Sequence, residues 1–161
     1  MKEHSFSKII EFGCGDGNQL QYFNFPAYIG LDVSPSAIQK CKSIFVEDES
    51  KEFFLYPPEN SLKKKGFFTS PLTISLDVIF HLVEDEVFEK YMYDLFEASS
   101  DFVIIYAWDV DDELKFHVRQ RHFSKWIDEN ITGFSLKEII KSDAEEKFCD
   151  FFIYEKITKG S

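Results

Sequence analysis

Short apolar runs alternate with longer stretches in which apolar residues return every three to four positions, almost from the first residue. Ser7–Phe12 is an apolar run closed by glycines. Tyr28–Asp32 ("YIGLD"), Lys51–Tyr56 ("KEFFLY", stopped by Pro57 and Pro58), part of Leu72–Phe80 ("LTISLDVIF") and Asp101–Ala107 ("DFVIIYA") repeat the pattern. Continuous apolar strands separated by helices predict a parallel sheet covered on both faces, hence an α/β fold. The intervening helices carry their own markers. "DVSPSAIQKCK" offers Ser34 as N-cap and Pro35 at the first helical position, where a missing N–H costs nothing. In "EDEVFEKYMYDLFEAS", Val87, Phe88, Tyr91, Met92, Leu95 and Phe96 form one apolar stripe, with Glu84, Asp85 and Glu86 at the positive end of the helix. A further helix is predicted over Arg119–Glu129. "GFSLKEII" and "KFCDFFIYEKI" are strand-like with no helix-length segment between them, so they should pair as an antiparallel hairpin at the sheet edge.

Composition narrows the class. At 161 residues, with 44% hydrophobic and 17% aromatic residues, the chain fits one domain with one sizeable core. Eighteen basic against 29 acidic residues leave a net charge of −11, which disfavours a long nucleic acid as partner. Cys14, Cys41 and Cys149 are odd in number and widely spaced, which supports neither a disulfide framework nor a zinc site. No apolar run reaches the ~18 residues of a membrane span and no signal peptide opens the chain, so the expected address is the cytoplasm. "SLKKKG" (61–66) reads as a solvated charged loop.

The chemistry concentrates in two stretches. "IIEFGCGDG" sets Gly13, Gly15 and Gly17 at alternate positions directly after a strand, behind the acidic Glu11. A strand, a glycine turn and a helix start make a cradle for a nucleotide-type ligand, with amides pointing outward and no Cβ in the way. A simple turn is the plainer alternative. The spacing is GxGxG, not the GxGxxG of a dinucleotide site, and no Gly-Lys-Ser/Thr follows as a P-loop requires. Asp32 ends the second strand, where a carboxylate can accept both hydroxyls of a ribose; its plainer role is to cap the next helix.

With "YIGLDVSPSAIQKCK", this stretch resembles motifs I and II of the class I S-adenosylmethionine-dependent methyltransferases. "LTISLDVIFHLVEDEVFEKYM" is similar to their motif IV region and "DFVIIYA" to their fifth strand. The likeness spans about residues 8–107, and within the family it is strongest to small bacterial proteins carrying "EFGCGDGNQL" and "SLDVIxHLVEDEVFEKYM". It implies a Rossmann-like three-layer sandwich with strand order 3-2-1-4-5-7-6 over a single domain, residues 1–161. It also implies S-adenosyl-L-methionine as cofactor, methyl transfer to a small or anionic acceptor, and no metal. By position, Gly13, Cys14 and Gly15 would lie against the methionine and ribose portions. Glu11 would sit beneath the loop near the methionine amino group, Asp32 would hold the ribose hydroxyls and Val33 would face the adenine. Tyr56 would stack or donate its hydroxyl, and Asp77 would face the reactive end.

A sulfonium methyl is already electrophilic, so an in-line lone pair and proton removal suffice. His81, four residues after Asp77, is the candidate general base by placement; hydrogen-bonded packing beside a helix start is its other role. In "FHVRQRHFSKW", His117, Arg119, Arg121, His122 and Lys125 crowd nine residues of an acidic chain. They read either as a pocket for an anionic acceptor, with Arg119 as bidentate clamp and His117 beside it, or as a solvated helix face. The acidic "WDVDDEL" (108–114) reads as a solvated loop. Because the sheet starts near residue 8, the helices that usually precede it in this family are expected to be missing, leaving the site open. Two other readings stand beside methyl transfer: a non-catalytic S-adenosylmethionine-binding or protein-interaction module, and a nicotinamide-dependent oxidoreductase.

Overall fold

The computed structural model describes residues 6–56, 68–111, 117–142 and 148–158. Seven strands, β1 (Ile9–Phe12), β2 (Tyr28–Asp32), β3 (Lys51–Leu55), β4 (Ser70–Leu76), β5 (Ser99–Ala107), β6 (Phe134–Ile140) and β7 (Asp150–Lys156), form one sheet. Their order is β3-β2-β1-β4-β5-β7-β6, as the sequence predicts. β1 to β5 pair in parallel, and β7 enters antiparallel between β5 and β6. "SLKKKG" and part of "WDVDDEL" lie outside the described residues.

Helices α1 (Pro35–Ile44), α2 (Asp85–Glu97) and α3 (Phe123–Asn130) divide the core between the two sheet faces. On one face, Ile10, Phe12, Leu31, Val103 and Ile105 meet Phe88, Met92, Leu95 and Phe96 of α2 and Phe123 and Ile127 of α3. On the other, Ile9, Tyr28, Leu72, Ile74 and Phe102 meet Leu20 and the α1 residues Ile38 and Cys41. Alternation along each strand sends successive residues to opposite faces, which is why Ile9 and Ile10 belong to different halves of the core. No helix among the described residues is long and apolar enough to cross a membrane.

α1 starts as predicted: Pro35 is at its first turn and the Ser34 hydroxyl accepts from the Ala37 amide at 3.3 Å. α2 buries five of its six predicted stripe residues, whereas Val87 is 47% exposed at the end nearest the glycine loop. Buried hydrogen bonds fix α2 on the sheet. Tyr91 donates to the Phe12 carbonyl at 2.9 Å and pairs with the Ser75 hydroxyl at 2.7 Å, and Thr73 donates to the Leu95 carbonyl at 3.0 Å.

α3 begins four residues later than the predicted Arg119. The Arg119 amide donates to the Phe80 carbonyl at 2.9 Å and Arg121 bridges to Asp109, so the backbone before Phe123 is drawn out against neighbouring loops. Asp109 and Asp111 then accept from the Ser124 and His122 amides at 3.0 and 2.9 Å, supplying the helix start with the acceptors its own sequence lacks.

Candidate functional site

The glycine loop leaves β1 at Phe12 and is tied at once to β2. The Gly13 and Cys14 amides both donate to the Leu31 carbonyl, at 2.7 and 3.0 Å, and the Gly15 amide donates to Asp32 Oδ2 at 2.9 Å. The expectation of outward-pointing amides is therefore corrected: these donors are already engaged. The two leading glycines have different reasons. Gly13 has φ +80°, and a Cβ there would lie 2.3 Å from Val78 Cγ2, so this position yields to a neighbouring side chain. Gly15 has φ +56° with nothing within 4 Å of a Cβ, so it borders open space. The loop runs into a three-residue 3-10 turn, Leu20–Tyr22, instead of the predicted helix start. Asp16 accepts from the Asn18 amide at 3.2 Å and pairs with Lys40 at 2.5 Å, and Pro26 stops any continuation.

Beside Gly13, at the carboxyl ends of the parallel strands, is a cleft of about 360 Å³. It brings together Gly13, Asp32, Val33, Tyr56, Asp77 and His81, six of the predicted site residues. Asp32 is fixed by two amides, Oδ2 by Gly15 and Oδ1 by Ser34 at 2.8 Å, and each oxygen keeps lone-pair capacity for a ligand. Val33, 69% exposed, forms an apolar rim. Tyr56 contributes its ring alone, because its hydroxyl donates to Asp94 Oδ2 at 2.6 Å. The remaining lining, Leu76, Val78, Leu82, Val87 and Tyr91, was not foreseen. Val87 carried the usable signal: it sits at the edge of the apolar stripe, where a helix turns from core to cleft. A larger hollow of about 520 Å³ between the end of α1 and β3 shares no residue with the cleft.

Asp77 stands out on backbone grounds. At φ +59° it is the only non-glycine residue with positive φ among the described residues, a conformation that costs an L-residue roughly 1–2 kcal/mol. Its amide donates to the Tyr106 carbonyl at 3.1 Å, which locks the turn that ends β4. Two residues on, the 3-10 turn Ile79–His81 lays the His81 ring against Phe80, with centroids 4.4 Å apart, at the mouth of the cleft. His81 is exposed and free of the core.

Glu11 does not line this cleft. Its position in β1 sends the side chain to the sheet face of Ile9 and Tyr28, into a separate apolar cavity of about 240 Å³ with Gln19, Phe23 and Phe25. Leu76 borders both cavities, so they meet at the end of β4. Glu11 accepts a hydrogen bond from the Tyr28 hydroxyl. Burial pushes its carboxyl up to about 7; the Tyr28 hydrogen bond opposes the rise and the Asp32 charge adds to it. Cys14 packs under the loop against Gly30, and its thiol is raised by burial above all.

The basic segment is organised differently from its predicted role. Arg119 donates to the Val83 carbonyl at 3.1 Å and pairs with Asp85 at 2.8 Å, so its guanidinium holds protein groups and does not line the cleft. Arg121, with its side chain only 12% exposed, reaches the Leu82 and Val83 carbonyls, each at 2.6 Å, and Asp85 at 3.0 Å. His122 contacts Asp109, and Lys125 lies in solvent near Glu129. His117 is exposed and does not line the cleft.

No family model matches the chain, and no curated protein does. Solved structures do. The methyltransferase domain of bacterial CtHen1 superposes with a TM-score of 0.72 at 18% identity, over 94% of this chain and 90% of that one. The N-methyltransferase NodS from Bradyrhizobium japonicum WM9, in complex with S-adenosyl-L-homocysteine, gives 0.72 at 13% identity over 94% and 79%. Magnesium protoporphyrin IX methyltransferase from Synechocystis PCC 6803, with bound S-adenosylhomocysteine, gives 0.66 at 16% identity over 92% and 74%. At such identities the likeness is one of fold: the chain has the Rossmann-like, seven-stranded architecture of these methyltransferases.

Proposed function

We propose that residues 1–161 form one S-adenosylmethionine-binding domain that transfers a methyl group to a small acceptor. The observation that carries this reading is the placement of Asp32. Its carboxylate ends β2, is held by two amides, and opens into a cleft rimmed by Val33 and the Tyr56 ring, beside the vacant space over Gly15. In this reading Asp32 accepts the ribose hydroxyls, Val33 and Tyr56 cover the adenine, and Gly13 and Gly15 border the ligand's middle. The methionine portion would extend past Leu76 towards Glu11, with Cys14 supporting the loop from below. Structural neighbours that hold S-adenosylhomocysteine support the same cofactor.

When bound, the cofactor supplies an electrophilic sulfonium methyl. The protein's own task is then to orient an acceptor and take its proton. His81 at the cleft mouth is the base in this proposal, and Asp77, held in a strained turn, faces the reacting end. The anionic acceptor expected from Arg119 loses that support, since Arg119 is engaged by Val83 and Asp85. Arg119 and Arg121 both pair with Asp85 outside the cleft. A dinucleotide is the weaker reading, because a pyrophosphate needs free amides at a helix start. Here the Gly13, Cys14 and Gly15 amides are engaged and a 3-10 turn follows.

Isothermal titration with S-adenosylhomocysteine, with NAD as control, tests the proposal. Micromolar binding to the wild type, at least tenfold weaker in Asp32→Ala, is expected; a lost charge-assisted hydrogen bond is worth about 1.5–3 kcal/mol. Equal affinity in the two proteins would overturn the site, and preference for NAD would overturn the chemistry.

A further inference from the structure

Arg121 costs free energy to desolvate, lies outside the cleft and has no part in the chemistry described above. All three of its guanidinium nitrogens are nonetheless engaged. Nη1 donates to the Leu82 carbonyl and Nη2 to the Val83 carbonyl, both at 2.6 Å, while Nη2 and Nε reach Asp85 Oδ1 at 3.0 and 3.3 Å. The flat face of the group lies 4.6 Å from the centre of the Phe88 ring. Arg119 repeats the contact from the same segment. Its amide donates to the Phe80 carbonyl at 2.9 Å, and its Nη1 reaches Val83 and Asp85. Phe80, Leu82 and Val83 belong to the connection between β4 and α2, and Asp85 opens α2; together they carry His81, Leu82 and Val87 into the cleft. Besides these contacts, that connection is held at its start by the Asp77 amide bond to the Tyr106 carbonyl and by burial of Ile79 in the core. Further along it is held by short local bonds, such as the His81 amide to the Val78 carbonyl and the Leu82 amide to the Ile79 carbonyl. The first turn of α2 has no side-chain cap.

We propose that Arg121, aligned by Asp85 and assisted by Arg119, is a positioning residue. It straps the connection after β4 to the segment after β5, and so fixes the cleft wall made by His81, Leu82 and Val87. The inference rests on the cleft being the S-adenosylmethionine site. The physical reason for arginine is geometric. Two adjacent carbonyls and a carboxylate are met at once by a planar fork of fixed donors, which a lysine ammonium cannot reproduce from a single point. A wall tied this way loses little further order when a ligand docks, so the strap acts through preorganisation and not through contact with the ligand.

The test compares wild type, Arg121→Lys, Arg121→Ala and Asp85→Asn, each as the whole chain. Titration with S-adenosylhomocysteine is run at a temperature where circular dichroism shows every variant folded, with Asp32→Ala as reference. Arg121→Lys keeps the charge and much of the packing, and covers the case in which Arg121→Ala does not fold. Expected is a loss of about tenfold in affinity for Arg121→Lys, since small misplacement of a binding wall is costly. A smaller loss is expected for Asp85→Asn, which keeps both carbonyl contacts. Hydrogen exchange at residues 79–83 should quicken in parallel. A role in stability alone would lower the melting temperature and leave affinity at the wild-type value, and that result overturns the proposal. A wild type that fails to bind overturns the cofactor reading, and this inference with it. Binding by wild type with an unaffected Arg121→Lys overturns the strap alone.

Discussion

Gly13 and Asp77 show how single positions encode the cleft. Both adopt left-handed backbone, yet one has no side chain and the other a carboxylate. The absence of a Cβ at Gly13 is what allows Val78 to close over the end of β1, because Val78 Cγ2 occupies the place where the Cβ would be. Gly13→Ala should therefore destabilise the fold by roughly 2–3 kcal/mol, combining left-handed strain with overpacking. Adding Val78→Ala removes the clash and leaves the strain. The double variant should then be less destabilised than the sum of the single ones by an interaction energy of about 1 kcal/mol. Urea midpoints of the four proteins measure it. Strict additivity would mean that Val78 gives way freely and that backbone conformation alone selects glycine. Gly15, with open space where its Cβ would be, is the position whose substitution bears on ligand approach instead of packing.

At the scale of elements, α3 is anchored by groups outside itself. Asp109 Oδ1 accepts from the Ser124 amide and contacts His122 Nδ1 at 3.0 Å, and Asp109 Oδ2 accepts from the Ser124 hydroxyl at 2.5 Å. The Asp109 carboxylate raises the His122 pKa above its ordinary 6.5 by hydrogen bond and charge; Asp111 adds to this, while Lys125 and slight desolvation oppose it. A raised folded pKa means that the protonated ring is favoured in the folded state. Its stabilisation is therefore complete below the unfolded value near 6.5 and is lost as pH climbs through the raised folded value. His122→Gln should erase this small difference between pH 5.5 and 9, seen in melting temperature relative to wild type. Asp109→Asn should erase it and also lower stability by about 1 kcal/mol at every pH, because the helix start loses a charged acceptor. An unchanged pH profile in His122→Gln would mean the contact is screened at this exposed site.

Across the whole molecule, the α/β class was the most legible property, because apolar runs and helical periodicity report burial, whereas the strand order was implied by the resemblance to class I methyltransferases. Ser34, Pro35 and the α2 stripe announced their helices by local chemistry alone. The start of α3 was not legible, since it depends on Asp109 and Asp111, more than ten residues upstream. Six of the expected site residues line one cleft because they lie at or beyond the carboxyl ends of strands, where the fold itself sets position. The basic segment did not, because contacts to carbonyls leave no trace in residue type. Nor did residue type reveal that Glu11, on the same sheet face as Tyr28 and Asp32, lines a cavity separate from the cleft.

That placement gives the molecule its most testable pH dependence. The chain already carries a net charge of −11, and ionising Glu11 adds a buried negative charge with Asp32 near it. The folded carboxyl, raised from 4.5 to about 7, binds its proton more tightly than the unfolded one. The resulting stability is complete below pH 4.5 and is lost as pH rises through 7, worth on the order of 3 kcal/mol at most. Glu11→Gln cannot ionise and keeps a neutral acceptor for Tyr28, so its stability relative to wild type should climb between pH 5 and pH 8. Chemical denaturation at the two values measures the difference. If the cofactor's amino group lies against Glu11, saturating S-adenosylhomocysteine should narrow the gap at pH 8, because an ammonium stabilises the ionised carboxylate in the wild type alone. A gap unchanged by ligand would remove Glu11 from the cofactor site and leave it a buried acid held by Tyr28.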